Sequence, residues 1–170
     1  FSCAVFDTGG ELVANAPHIP VHLGSMGESV QTVLRQRAGT MRAGNVYVLN
    51  APYNGGTHLP DVTVITPVFD KAGEELLFCV ASRGHHADIG GITPASMPPN
   101  STTVEEEGIL IDDFLLVDEG HFRETEIVDL LTTGPWPARN PRQNVADLRA
   151  QIAANEKGVQ ELLKMVDHFG

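Results

Sequence analysis

The stretch Asn50-Ala51-Pro52-Tyr53-Asn54-Gly55-Gly56-Thr57-His58-Leu59-Pro60-Asp61 leads into Val62-Thr63-Val64-Ile65-Thr66-Pro67-Val68-Phe69. After a short break, Leu76-Leu77-Phe78-Cys79-Val80-Ala81 leads out into Ser82-Arg83-Gly84-His85-His86-Ala87-Asp88-Ile89-Gly90-Gly91. The first apolar run is rich in β-branched residues, and Asp70-Lys71-Ala72-Gly73 between the runs is turn chemistry, so the pattern predicts an antiparallel hairpin. A hairpin folds its two ends together. His58 and Asp61 at one end are thereby brought opposite His85 and His86 at the other. Pro67 has no N–H for a ladder and is expected at a bulge, or with its nitrogen turned away from the neighbouring strand.

Two imidazoles and a carboxylate suit a first-row divalent ion such as Zn, Mn or Fe(II) and leave positions open for water or substrate. Pro60 restricts the backbone between His58 and Asp61, and Gly55-Gly56 permits a close approach to a neighbour. The alternative reading is that His-His in a Gly-rich loop is a polar turn. No phosphate-binding Gly-Lys-Ser/Thr loop, dinucleotide fingerprint or Gly-x-Ser-x-Gly elbow occurs, and the Gly-Gly pairs at 9–10, 55–56 and 90–91 lack the spacing of any of them. Nucleotide chemistry, if required, must come from another polypeptide or domain.

Outward from the hairpin, residues 2–6 and 11–16 flank Asp7-Thr8-Gly9-Gly10 and predict a first hairpin. The prolines of residues 16–24 predict an extended loop carrying His18 and His22, which are either further ligands, substrate contacts or loop histidines bonded to backbone. Ser25-Met26-Gly27-Glu28 reads as a capping box opening a helix with the stripe Met26, Val30, Val33 and Leu34, ending near Gly39. The start of that helix favours a bound anion, or the helix serves only to pack the core. Residues 46–49 read as a short strand, and residues 92–101 as a Pro-rich loop. Glu105-Glu106-Glu107 reads as a solvated run, with residues 108–111 and 114–117 as strands and residues 124–131 as a short helix. Trp136 between prolines reads as a packing anchor. Asn140 and Pro141 open a long last helix with the stripe Val145, Leu148, Ile152, Val159, Leu162 and Val166. This helix covers its own sheet, or packs on further protein or a second chain. The patterns together predict an α+β fold of mostly antiparallel hairpins in a sheet, with a few packed helices that include a long C-terminal one.

At 170 residues the chain is one domain or part of one, and a net charge of −11 argues against nucleic acid and anionic membrane as partners. Cys3 and Cys79 lie in strand-like runs and read as free thiols of a reducing cytoplasm. No signal peptide and no apolar run of membrane-spanning length occurs. The chain begins at Phe1 without Met, already inside a strand pattern, and is read as an N-terminal portion of a larger subunit.

Residues 52–61, residues 82–91 and Pro137-Ala138-Arg139-Asn140-Pro141 together resemble the hydantoinase B family, and the resemblance runs along essentially the whole chain. That family includes the B-type subunit of ATP-dependent N-methylhydantoinase, part of 5-oxoprolinase and related subunits of acetone and acetophenone carboxylases. The resemblance implies a single hydantoinase B-type domain, residues 1–170, from a longer, oligomeric subunit, with the fragment inactive alone. It implies ATP-dependent opening of a cyclic amide, a hydantoin or 5-oxoproline, with ATP bound by an A-type partner subunit or domain. His58, Asp61 and His85 match the family's metal-binding pattern. Asp88 and His86 are implied near them in catalysis, either one orienting His85. Arg83 and Arg139 are implied as binders of substrate carboxylate or phosphate, Arg139 alternatively as a tether at the helix start. Glu107, before Gly108-Ile109-Leu110-Ile111, is either structural or reaches the site. A ketone carboxylase subunit and a non-catalytic interaction domain are the alternative functions.

Overall fold

The computed structural model describes residues 1–16, 19–96 and 98–169. In chain order the elements are β1 (Ser2–Phe6), β2 (Leu12–Asn15), α1 (Pro20–Gln36), β3 (Val46–Leu49), β4 (Asp61–Phe69) and β5 (Leu76–His85). A 3₁₀ turn (Pro94–Ser96), α2 (Val104–Glu107), β6 (Phe114–Asp118), β7 (His121–Phe122), α3 (Glu124–Thr132) and α4 (Pro141–Phe169) follow. The strands form one seven-stranded sheet in the order β2-β1-β5-β4-β3-β6-β7. Every neighbouring pair is antiparallel. The fold is α+β, as the patterns predict.

The β4–β5 hairpin lies at the middle of this sheet, with Asp61 opposite His85 and Phe69 opposite Leu76. Its turn is closed by the Asp70 carboxylate, which accepts from the amides of Glu74 and Glu75 at 2.8 and 3.1 Å, and by Gly73 at φ 73°. Pro67 pairs in register with Cys79, and the irregularity falls one residue later, between Val68 and Phe69. The β3 partners of β4 stop at Ile65, so Pro67 lies past that ladder.

β4 is apolar along its length because both faces of the sheet are covered. On one face Ala4, Phe6, Ile65, Cys79 and Ala81 pack under Met26, Val30 and Val33 of α1. On the other, Val62 and Val64 pack with Ile127 and Leu131 of α3 and with Val145 and Leu148 of α4, and Val68 and Val80 pack with Val159.

Four expectations change. α1 begins at Pro20, not after Gly24, since proline at the first helical position gives up an amide that has no helical partner anyway. Ser25 is therefore inside the helix, and its hydroxyl donates to Val21 O at 2.8 Å in place of capping. Residues 108–111 form no strand. Their polar groups bond to Asn50, whose side chain donates to Ile109 O and accepts from the Ile111 amide at 2.9 and 2.7 Å. The α4 stripe is covered as far as Leu162 and Leu163, but Val166 is exposed. α4 also buries three amides: Asn144 meets the loop after β5, and Gln151 and Asn155 meet the sheet. Gln151 donates to Val62 O and Ser82 O at 3.0 and 3.2 Å. Asn155 donates to Val64 O and Val80 O at 3.1 and 3.3 Å. No helix among the described residues is long and apolar enough to cross a membrane.

Candidate metal centre

Strand alternation sends odd-numbered residues of β4 and β5 to the α1 face, so Asp61 and His85 emerge side by side where that face ends. The loop before β4 delivers His58. Its return is tight: Gly56 N donates to Ala51 O at 2.8 Å, and Asp61 N to His58 O at 3.0 Å. Gly55 takes φ 88°, and a Cβ there would lie 2.7 Å from Glu28 O. A Cβ on Gly56 would lie 2.4 Å from Asn50 O. Gly55 thus seats the loop against α1, where the Ser29 hydroxyl donates to Gly55 O, and Gly56 lets the loop close on Asn50 and Ala51.

Around the buried Asp61 carboxylate, 4% exposed, three imidazoles converge. His58 Nδ1 is 3.1 Å from Oδ2, and His85 Nδ1 is 3.1 Å from Oδ1. The third is His22, whose Nε2 is 3.2 Å from Oδ2. Thr57 donates to Oδ2 at 3.3 Å. One ligand atom from each of His58, Asp61 and His85 lies within 4.8 Å of the others. The His58 and His85 rings stand 5.3 Å apart and tilted by 35°. Both are partly exposed, leaving an open side.

Burial by itself would raise the Asp61 carboxyl. Its hydrogen bond to His85 and the charges of His58, His22 and His85 override that and hold it below the usual carboxylate range. Burial lowers His22, against the opposing pull of Asp61. The donor set fits a first-row divalent ion. Nitrogen and oxygen ligands about 2.1 Å from a tetrahedral ion sit roughly 3.4 Å apart, close to the 3.1 Å separations here.

The remaining expected residues are placed differently. Arg83 is completely buried, at 0% exposure, and donates to Thr63 Oγ1 at 2.7 Å and Ser29 Oγ at 2.8 Å, and to Ser25 Oγ. Burial lowers it to about 10, opposed by the Asp61 charge, so at neutral pH it is a cation under the site. Its odd position in β5 points it beneath α1, where its partners are hydroxyls of the fold itself. His86 is turned to the α4 face. Its Nε2 donates to Gln151 Oε1 at 3.1 Å and its Nδ1 accepts from Asn144 at 3.0 Å. It does not orient His85, and burial lowers its pKa. Asp88 does not reach His85 either. Its carboxylate accepts from the amides of Gly90 and Arg139 at 3.0 and 3.1 Å and from the Arg139 guanidinium at 2.7 Å. Arg139 also donates to Gly91 O at 2.8 Å, so this pair ties the start of α4 to the loop after β5.

Glu107 accepts from Ser101 at 3.1 Å. Trp136 is 37% exposed, and its carbonyl, not its ring, is the anchor: it accepts from Gly91 N at 3.0 Å. His18 lies outside the described residues. Ser2, Thr57, Asn144 and Gln151 had no signal in sequence, whereas His22 was visible there only as one of two loop histidines.

Residues 1–170 match the family model described as hydantoinase B/oxoprolinase. The chain is 50% identical over its whole length to 5-oxoprolinase 1 of Arabidopsis thaliana, of which it spans 14%. It resembles the crystal structure of ATP-dependent caprolactamase from Pseudomonas jessenii, with a TM-score of 0.88 and 33% identity over 99% of this chain and 28% of that one. The nucleotide-free structure of acetone carboxylase shares the fold, with a TM-score of 0.86 and 20% identity over 99% of this chain and 22% of that one. The chain thus spans well under a third of the length of each of these relatives.

Proposed function

We propose a function from one premise: the chain belongs to the hydantoinase B/oxoprolinase family. It is part of an ATP-dependent enzyme that opens a cyclic amide, a hydantoin or 5-oxoproline. This part supplies a metal centre, and an A-type partner subunit or domain uses the ATP, in a cytoplasmic assembly. The observation that carries the reading is the convergence of His58, Asp61 and His85 on one point at an open end of the sheet. The 50% identity to a 5-oxoprolinase supports amide hydrolysis over ketone carboxylation, for which the likeness at 20% identity speaks to fold alone.

His58, Asp61 and His85 would hold the ion. When bound, a divalent ion polarises a carbonyl oxygen or lowers the pKa of a water. The chain's own residues set the conditions for this. The imidazole contacts hold the Asp61 carboxyl below its usual range, and the Arg83 cation lies beneath it. Pairing of Asp61 with His85 holds the two β-strand ligands at one height across the hairpin. The Asp88–Arg139 pair and the His86–Gln151 bond fix the strand-end loop from its other side, so His85 is carried on a braced segment.

Elemental analysis of the purified protein, and of its His58→Ala/His85→Ala variant, tests the metal centre. About one Zn, Mn or Fe per chain, lost in the variant, is expected. Absence of metal from the full-length protein after growth with these metals supplied would refute it. Assay of the full-length protein with its ATP-using part tests the reaction. ATP consumption that depends on a hydantoin or 5-oxoproline supports hydrolysis, whereas dependence on bicarbonate and a ketone would replace it with carboxylation.

A further inference from the structure

The candidate ligand set leaves His22 unused, yet His22 is more deeply buried than either His58 or His85, at 2% exposure. It is held at both ring nitrogens. Nδ1 is 2.9 Å from Ser2 Oγ, at the start of β1, and Nε2 is 3.2 Å from Asp61 Oδ2. A carboxylate only accepts, so the nitrogen facing Asp61 carries the proton, whichever way the serine hydroxyl points. Turning the ring towards an ion would break both bonds. His22 also stands outside the group of ligand atoms formed by His58, Asp61 and His85.

We infer that His22, locked by Ser2, is the positioning residue that aims the Asp61 carboxylate at the metal. This rests on the metal reading of the site. The geometry divides the labour between the two carboxylate oxygens. Oδ2 takes the hydrogen bonds of His22 and Thr57, at 3.2 and 3.3 Å, and lies 3.1 Å from His58 Nδ1. Oδ1 faces only His85 among the described residues, so no residue outside the ligand set holds it and it is the freer oxygen for an ion. Rotation of the carboxylate about its own axis would exchange these roles, and the His22 N–H resists it. Three elements meet in this chain of bonds: β1 through Ser2, the first turn of α1 through His22, and β4 through Asp61. Arg83 reinforces it from below, since it bonds Ser25 and Ser29 of α1 and lies opposite Ser2 in the sheet. The helix that carries His22 is thereby fixed to the strand that carries His85.

Hydrogen-bonding partners of metal-ligating carboxylates and imidazoles typically change metal affinity about 10–100-fold when removed. The test is the affinity of the full-length protein for Mn²⁺ and Zn²⁺, by competition with a chromophoric chelator. His22→Ala is expected to weaken binding about 10–100-fold. His22→Gln, whose amide still donates, recovers most of the affinity, and Ser2→Ala weakens it by a smaller factor. Ser2→Ala keeps the imidazole and decides the matter if His22→Ala does not fold. Wild-type affinity in Ser2→Ala, or a loss in His22→Gln as large as in a folded His22→Ala, overturns the role. So does wild-type affinity in a folded His22→Ala. Electron paramagnetic resonance of the Cu²⁺-loaded protein counts the imidazole ligands. Two nitrogens in both parent and His22→Ala support positioning, and a third that disappears in His22→Ala makes His22 a ligand and overturns it. A parent protein that binds no metal overturns the metal reading as well, which separates that failure from failure of His22 alone.

Discussion

Gln151→Leu removes the bond network between α4 and the middle of the sheet while keeping the volume of the side chain. Gln151 is 2% exposed and makes three hydrogen bonds: to Val62 O, to Ser82 O, and from His86 Nε2. The two carbonyls lose a net bond each, at about 1 kcal/mol apiece, and the buried His86 N–H is stranded, at about 1–3 kcal/mol. The total is roughly 3–5 kcal/mol, which for a domain of this size lowers Tm on the order of 10 °C. Urea denaturation of the 170-residue chain, followed by circular dichroism, measures it. Gln160→Leu, on the exposed side of the same helix, is the control and should shift stability by less than about 0.5 kcal/mol. A loss under about 1 kcal/mol for Gln151→Leu, or a loss equal to the control, would refute the view that these amides anchor the helix.

Other perturbations have expected outcomes. The Asp88 carboxyl is held low: burial raises it, but the amides of Arg139 and Gly90 and the Arg139 guanidinium lower it further. A depressed folded value stabilises the protein above the unfolded value of 3.8, and the gain is lost as pH falls through the folded one. Thermal melts should therefore show Asp88→Asn less stable than the parent at neutral pH, with the gap closing in acid below 3.8. Gly56→Ala puts a methyl 2.4 Å from Asn50 O, so hydrogen exchange should rise through residues 50–61 and metal affinity should fall more than about 10-fold; unchanged exchange there would show that the loop can yield. Thiol labelling of the native protein should modify half-buried Cys3 and spare Cys79, which is fully buried and pushed up to about 12 by burial. Equal labelling rates would mean that the sheet opens readily between β1 and β5.

The β4–β5 hairpin, the first hairpin, β3 and the long last helix are all legible in the sequence. Their signals are local: β-branched runs, an Asp/Gly turn, a proline after an asparagine. The meeting of His58 and Asp61 with His85 follows from the hairpin, because antiparallel register alone places residue 61 opposite residue 85. What lies across the sheet from these residues was not legible. His22 reaches Asp61 from 39 residues away and Ser2 reaches His22 from 20, through the packing of α1 on the sheet. Arg83 and His86 sit three residues apart in a motif that reads as uniformly functional, yet strand alternation and the two covering layers bury one under α1 and the other under α4. Gln151 and Asn155, one helical turn apart, bond sheet carbonyls that no local pattern in the sequence shows. Local pattern determines which segments pair and which side chains share a face. Only the tertiary structure decides which of those faces is covered, and hence which polar groups bind a ligand and which bind the fold itself.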